Sequence, residues 1–265
     1  MLPIAFFPPS TARALTGVCF DVDDTVTRHG QLEPAAYAAL ADLKDAGLKL
    51  IAVTGRPLGF AEVIARMWCV DAAIGENGAG YVAREGKGLR FGYWDDAATR
   101  AEQQLSLARI RARVTRELPF VQEADDVWAR RCDLAFDVGE RAQLTREQIQ
   151  ALVSLIEAEG AHSSVSSVHA HAQFGDHDKA RGVARALHEL WGLEPEQVGR
   201  EFLFVGDSGN DAAAFAWFEC TAGVANVVRH LDRLPRPPRF VAQRECGQGF
   251  AEIAAHILSA RRAVP

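Results

Sequence analysis

Short runs of consecutive apolar residues alternate along this chain with longer stretches whose apolar positions recur every three or four residues. Gly17-Val18-Cys19-Phe20, Leu48 to Val53, Ala72 to Ile74, Phe202 to Val205 and Thr221 to Val224 are the short runs, the pattern of strands buried on both faces. Between them lie helical stretches. One begins at Pro34, places Ala35, Ala36, Ala39, Leu40 and Leu43 on one side, and stops at Gly47. Others span Leu58 to Met67, Lys179 to Trp191, Asp211 to Phe218, and a last one from about Phe250. Strands separated by helices predict βαβ units and a parallel sheet.

The rhythm changes in the middle of the chain. Gly75, Gly78 and Gly80 punctuate it, and Tyr81-Val82-Ala83 with Leu89-Arg90-Phe91 reads as a hairpin. A long helix is expected from about Ala97 to Leu118, a strand from Arg131 to Val138, a helix from Thr145 to Glu159, and a strand from Val165 to Phe174. Hairpins mixed with helices indicate an α+β unit with an antiparallel sheet. The predicted fold is α/β: a Rossmann-like parallel-sheet core built from residues 1–79 and 176–265, with 1–16 as an N-terminal arm, interrupted by a smaller α+β domain over 80–175.

Composition narrows the function classes. At 265 residues, 48% hydrophobic and 24% charged, the chain is an ordinary globular protein and not a disordered, collagenous or coiled-coil one. A formal net charge of −6 argues against a nucleic-acid partner held by a broad basic surface. No run approaches the ~18 apolar residues of a membrane helix. The five cysteines, Cys19, Cys69, Cys132, Cys220 and Cys246, are scattered, so no disulfide framework or Cys-based zinc site is indicated. They read as reduced thiols of a cytoplasmic protein. Met1 to Ser10 is partly apolar but lacks a basic segment and is cut by Pro8-Pro9, so it is expected to pack on the body or a partner rather than act as a signal peptide. Whether the protein is a monomer or a homodimer stays open.

Candidate chemistry gathers at strand ends. Asp21-Val22-Asp23-Asp24-Thr25 follows the first buried strand, at the edge where open α/β sheets bind ligands. Alternation sends Asp21 and Asp23 to one side, where two carboxylates repel unless a hard divalent ion such as Mg²⁺ joins them. A solvated acidic turn is the plainer explanation of this segment alone. A second buried strand, however, ends in Gly206-Asp207-Ser208-Gly209-Asn210-Asp211, which adds two carboxylates. Thr54-Gly55-Arg56, past another strand, offers a hydroxyl and backbone N–H groups to phosphate oxygens. Of 29 basic residues only Lys44, Lys49, Lys87 and Lys179 are lysines. Lys179 opens a helix where a compact cation can serve both a phosphate and an aspartate.

DVDDT, TGR, an isolated lysine and GDSGND, in that order, resemble the four motifs of the haloacid dehalogenase (HAD) superfamily. The insert between the second and third motifs, entered through Gly75-Glu76-Asn77-Gly78, resembles subfamily IIB, which includes sucrose-phosphatase, mannosyl-3-phosphoglycerate phosphatase and Cof-like phosphatases. The likeness covers about residues 17–79 and 176–260; the inserted cap matches by position and element type. It implies a phosphatase acting on a small phosphorylated metabolite, a sugar phosphate first of all. Asp21 would be the nucleophile that forms an aspartyl-phosphate, and Asp23 the general acid and base. Thr54, Gly55, Arg56, Lys179 and Asn210 would hold the phosphoryl group. Asp21, the main-chain carbonyl of Asp23, Asp207 and Asp211 would hold Mg²⁺. A phosphohexomutase of the same subfamily and a catalytically retired binding protein are the alternative functions. One departure is that Lys179-Ala180-Arg181-Gly182 replaces the subfamily's usual Lys-Gly.

Three further groups invite a role. His169 and His171 alternate on one strand face, so they either contact substrate or decorate an exposed sheet face; with His177 they make a poor zinc set. Arg109, Arg113 and Arg116 share helical spacing, the pattern of a solvated face or of an anion site. Glu76 and Asn77 either support the cleft or simply make a turn.

Overall fold

The apolar runs lie side by side at the centre of a nine-stranded sheet. This structure is a computed structural model that describes residues 1–166 and 168–262. Across the sheet the strands are Leu2–Pro3, Phe240–Val241, Cys220–Gly223, Phe202–Gly206, Gly17–Phe20, Lys49–Val53, Ala72–Gly75, Gly80–Glu85 and Gly88–Tyr93. The first seven run parallel, Gly80–Glu85 runs against them, and Gly88–Tyr93 pairs antiparallel with it. Alternate side chains feed two cores. Val18, Phe20, Leu50, Ala52, Leu203 and Val205 pack toward the helices Pro34–Asp45 and Cys246–Arg262. Cys19, Ile51, Val53, Phe202 and Phe204 pack toward Lys179–Trp191 and Ala212–Trp217. Strands buried on both faces need continuous apolar runs, which is the pattern the sequence shows.

Gly17–Phe20 lies between Lys49–Val53, which follows it, and Phe202–Gly206, which comes much later. The chain therefore departs from the first strand in both directions across the sheet, and the reversal opens a crevice at the carboxyl ends of these strands.

The insert is a separate two-layer unit. Its four-stranded antiparallel sheet runs His162–Val165, His169–Gln173, Asp133–Asp137, Gln122–Glu123. Leu134, Phe136, Ala170 and Ala172 face the helices Ala97–Glu117 and Arg146–Ala158, meeting Leu107, Ile110, Leu152 and Ile156. Period-2 geometry turns Asp133, Asp137, His169, His171 and Gln173 to the opposite face. That polar face is turned over the crevice and is buried there.

Two sequence expectations change, and one, the packing of the N-terminal arm on the body or a partner, is resolved. The hairpin assigned to the insert extends the core sheet instead, because Val82 fills one core layer while Tyr81 and Ala83 fill the other. The inserted unit thus starts after Tyr93, not at Gly80. The single strand expected over Val165 to Phe174 is two antiparallel strands. The N-terminal arm packs on the body of the same chain. Leu2–Pro3 adds a parallel strand beside Phe240–Val241, and the Phe7 and Phe240 rings lie 4.9 Å apart. Among the described residues no helix is long and apolar enough to cross a membrane.

Candidate active site

Asp21 ends the first strand and is 3% exposed; its N–H donates to Val205 O at 2.9 Å, which locks it against the next strand. Lys179, fully buried, reaches it from the start of the helix Lys179–Trp191. Its Nζ donates to Asp21 Oδ1 at 2.5 Å and to Asp211 Oδ1 at 2.6 Å. Asp178 caps the helix of Lys179 by accepting from Arg181 N–H at 2.9 Å. Gly182 settles the departure from the usual Lys-Gly. A Cβ there would fall 2.4 Å from the Gly78 Cα, so the helix can approach the 75–78 turn only because position 182 is glycine. The required glycine stands three residues after the lysine.

Asp207 and Asp211 complete the acidic centre. Asp211 Oδ2 accepts from Asp207 N–H at 2.9 Å and Ser208 N–H at 3.1 Å. Carboxylate oxygens of Asp21, Asp207 and Asp211 lie within 4.8 Å of one another. Burial lifts Asp21 to about 7, opposed by Lys179 and reinforced by Asp211 and Asp23. Burial also pushes Asp207 well above the usual carboxylate range, with Asp21 and Asp211 adding to the effect. Three buried carboxylates against one ammonium leave an excess of negative charge and oxygen donors only. That donor set suits a hard divalent cation.

Asp23 does not join the carboxylate cluster. Its oxygens accept from Arg56 Nε at 3.0 and 3.1 Å and from Arg56 Nη2 at 2.9 Å. Arg56 is committed on its outer side as well, at 3.3 Å to Asp126 and 2.8 Å to Glu140 of the cap. Its side chain thus stands as a bridge between Asp23 and the cap. Thr54 is buried, and its Oγ1 accepts from Arg56 N–H at 3.0 Å. Gly55 and Asn210 line the same small cavity as Asp21 and Asp23. That cavity holds about 10 Å³, and a second of about 200 Å³ shares Asp23 and Val168 with it and is bordered by His29 and Glu140.

Several participants were missed or left undecided by sequence reasoning. Asn226 donates to Asp207 Oδ2 at 2.9 Å and to the Asp24 carbonyl at 3.0 Å. Its signal was its place three residues past a buried strand end. Glu76 and Asn77, both with left-handed backbone, are more than a turn. Buried Glu76 accepts from Leu58 N–H of the core and from Arg131, Cys132 and Asp133 N–H of the cap. Burial, assisted by Asp133, lifts its carboxyl to about 7 against the pull of those N–H groups. Asn77 accepts from Asn210 at 3.3 Å and donates to Ser164 of the cap at 3.4 Å.

The weaker candidates divide. His169 and His171 are each 1% exposed and face the crevice, not solvent. His169 Nε2 donates to Glu140 at 2.9 Å, and His171 Nδ1 to Asp133 at 2.8 Å. His177 is apart, beside Trp94. Arg113 and Arg116 pair with Glu117 and Glu159 on the solvated helix face. Arg109 bonds only its neighbour Ser106 among the described contacts.

Residues 18–91 match the family profile described as haloacid dehalogenase-like hydrolase. No curated protein matches the sequence. Among solved structures, protein 0175 of Thermoplasma acidophilum superposes with a TM-score of 0.70 at 19% identity, covering 92% of this chain and 98% of the other. The sucrose-phosphatase of Synechocystis sp. PCC6803, solved with sucrose and phosphate, gives 0.64 at 18% identity over 92% and 98%. The HAD subclass IIB sugar phosphatase BT4131 gives 0.60 at 13% identity over 91% and 98%. Residues 18–91 are thus similar to the haloacid dehalogenase-like hydrolases, and the fold of the whole chain is shared with these solved structures. It shares its fold with that sucrose-phosphatase and with BT4131.

Proposed function

We propose that this chain is a Mg²⁺-dependent phosphatase that hydrolyses a small phosphorylated metabolite, a sugar phosphate, through an aspartyl-phosphate on Asp21. The observation that carries it is Lys179, fully buried and bonded to both Asp21 and Asp211 beside Asp207. Phosphate esters are among the slowest hydrolyses in water, so a fixed array of charges at the reacting phosphorus is what such an enzyme requires.

In the first step an Asp21 oxygen attacks phosphorus and the ester P–O bond breaks, while Asp23 gives its proton to the departing alkoxide. In the second, water attacks the same phosphorus, Asp23 takes the water's proton, and Asp21 departs as carboxylate. Arg56 fixes the direction of Asp23 throughout. Lys179, Thr54 and the Gly55 and Asn210 loops bear on the phosphoryl oxygens as charge develops. Mg²⁺ held by Asp21, Asp207, Asp211 and the Asp23 carbonyl would neutralise nucleophile and phosphoryl charge together. The cavity of about 10 Å³ has room for about one water, so we infer that the cap opens for loading and re-forms around a larger space on the bound substrate.

Similarity of fold to sucrose-phosphatase and to the sugar phosphatase BT4131 supports a sugar phosphate as substrate. The test is phosphate release from a chromogenic ester and a panel of sugar phosphates with Mg²⁺. Wild type should release phosphate and Asp21→Asn should not; equal rates would overturn the assignment. Formation of an isomeric hexose phosphate without phosphate release would make the protein a mutase instead.

A further inference from the structure

The cap presents to the nucleophile one buried side chain whose outermost atom has nothing to bond. Among the described residues none bonds His171 Nε2, although the ring is 1% exposed. The ring borders the cavity enclosed by Asp21, Asp23, Gly55 and Asn210, and a Cβ built on Gly55 would lie 3.2 Å from Nε2. Buried polar atoms are usually paired, and of the unpaired ones the His171 Nε2 belongs to a ring that lines the cavity beside Asp21.

The chemistry of that partner follows from the other end of the ring. Burial raises the Asp133 carboxyl, but Arg130, at 2.9 Å, and His171 outweigh it and hold it at about 2. An ionised carboxylate only accepts, so Nδ1 carries the proton of the 2.8 Å bond. Burial keeps the imidazole below its ordinary pKa, hence neutral. Nε2 therefore carries a lone pair, on a ring that lines the cavity. Phosphoryl oxygens are acceptors and cannot satisfy it; a hydroxyl can. The ring is also fixed in place. Glu76 accepts from the Asp133 N–H at 3.0 Å, and Arg130 Nη1 reaches the Gly55 carbonyl at 3.0 Å, so core and cap together set where Nε2 points.

Resting on the phosphatase reading and extending it, we propose that His171 is a specificity-determining residue whose Nε2 accepts a hydrogen bond from a leaving-group hydroxyl near the scissile ester oxygen. The preferred substrates are then phosphate esters of polyols, and an ester lacking that hydroxyl leaves Nε2 unpaired in the closed enzyme. The rest of the leaving group would occupy the adjoining cavity of about 200 Å³.

The test compares glycerol 1-phosphate with propyl phosphate in wild type, His171→Leu and His171→Gln. An unpaired buried acceptor makes wild type prefer the polyol ester by about ten- to hundredfold in kcat/KM. His171→Leu should bring that ratio near unity, and His171→Gln, whose amide oxygen accepts, should keep most of it. Equal kcat/KM for the two esters in wild type means that water alone satisfies Nε2; the proposal then fails while the phosphatase reading stands. An equal loss on both esters in His171→Leu, with weaker inhibition by inorganic phosphate, places the ring on the phosphoryl group and also overturns it. If wild type hydrolyses neither ester nor p-nitrophenyl phosphate, the phosphatase reading itself falls and takes the proposal with it.

Discussion

Arg56 holds Asp23 through Nε and Nη2 while its remaining nitrogen contacts reach Asp126 and Glu140 of the cap. One guanidinium thus ties the side chain assigned as acid and base to the closed position of the cap. Arg56→Ala should free both ends at once. We expect kcat/KM to fall about ten- to hundredfold, part of the ~10²–10⁴ that a positioned acid–base group supplies. Arg56→Lys should not restore it, because a point charge cannot hold two carboxylate oxygens and bridge to the cap together. Steady-state kinetics on a chromogenic ester decides the matter, and full activity in Arg56→Lys would dismiss the bridge.

Lys179 is the cation that makes the carboxylate cluster tolerable. Its own pKa is penalised by burial, yet Asp21 and Asp211 more than compensate, and the group is held above its ordinary value. Lys179→Met should abolish turnover and cost about 3–5 kcal/mol of stability, the usual penalty when one partner of a buried ion group is removed. Mg²⁺ should stabilise wild type in thermal unfolding, since a ligand that binds only the folded state raises its stability. Asp207→Ala should flatten that dependence on Mg²⁺ concentration. A wild-type melting temperature indifferent to Mg²⁺ would count against the metal site.

The core and the gathering of its strand-end carboxylates were legible because apolar runs and strand-end motifs are local signals. Asp21, Asp207 and Asp211 needed only the rule that parallel strands end at a common edge. What was illegible depends on contacts across the chain. The hairpin Gly80–Glu85 and Gly88–Tyr93 reads the same whether it extends a core sheet or starts a new domain, since pairing partners are not written in periodicity. His169 and His171 alternate like any exposed strand face; only the cap's position over the crevice buries them. Arg56 was placed on phosphate by its motif, and Asp126 and Glu140, far along the sequence, are what claim it.

Gly78 and Gly182 touch where no side chain fits. Gly78 has φ +107°, and a Cβ on it would lie 2.3 Å from the Asp178 carbonyl. Gly182→Ala should therefore cost about 1–3 kcal/mol by overpacking and push the helix that carries Lys179 outward. Activity should fall more than stability implies, because Lys179 has only two bonds of 2.5 and 2.6 Å to keep in register. Gly192→Ala, at a helix end with φ +66° and open space around it, is the control: modest destabilisation and unchanged kinetics. Parallel unfolding curves and kinetics on both variants test this, and equal activity in Gly182→Ala would show that the contact does not position Lys179.

Acid should loosen the cap before it unfolds the core. The hydrogen bond from His169 lowers Glu140 most, Arg56 lowers it further, and together they overcome desolvation to bring it from 4.5 to about 2. A carboxylate whose pKa is lower folded than unfolded contributes stability that is complete above the unfolded value and disappears as pH falls through the folded one. The contribution of Glu140 is therefore full above about pH 5 and lost progressively between there and about pH 2. Because both partners of this carboxylate border the crevice, its loss should appear as easier proteolysis of residues 94–175 while the core melts at nearly the same temperature. Glu140→Gln removes this titrating group and should weaken the pH dependence of cap protection across that window, Asp133 supplying the remainder. Limited proteolysis of wild type and variant over that range is the measurement, and an identical pH dependence in both would assign the acid response to another carboxylate.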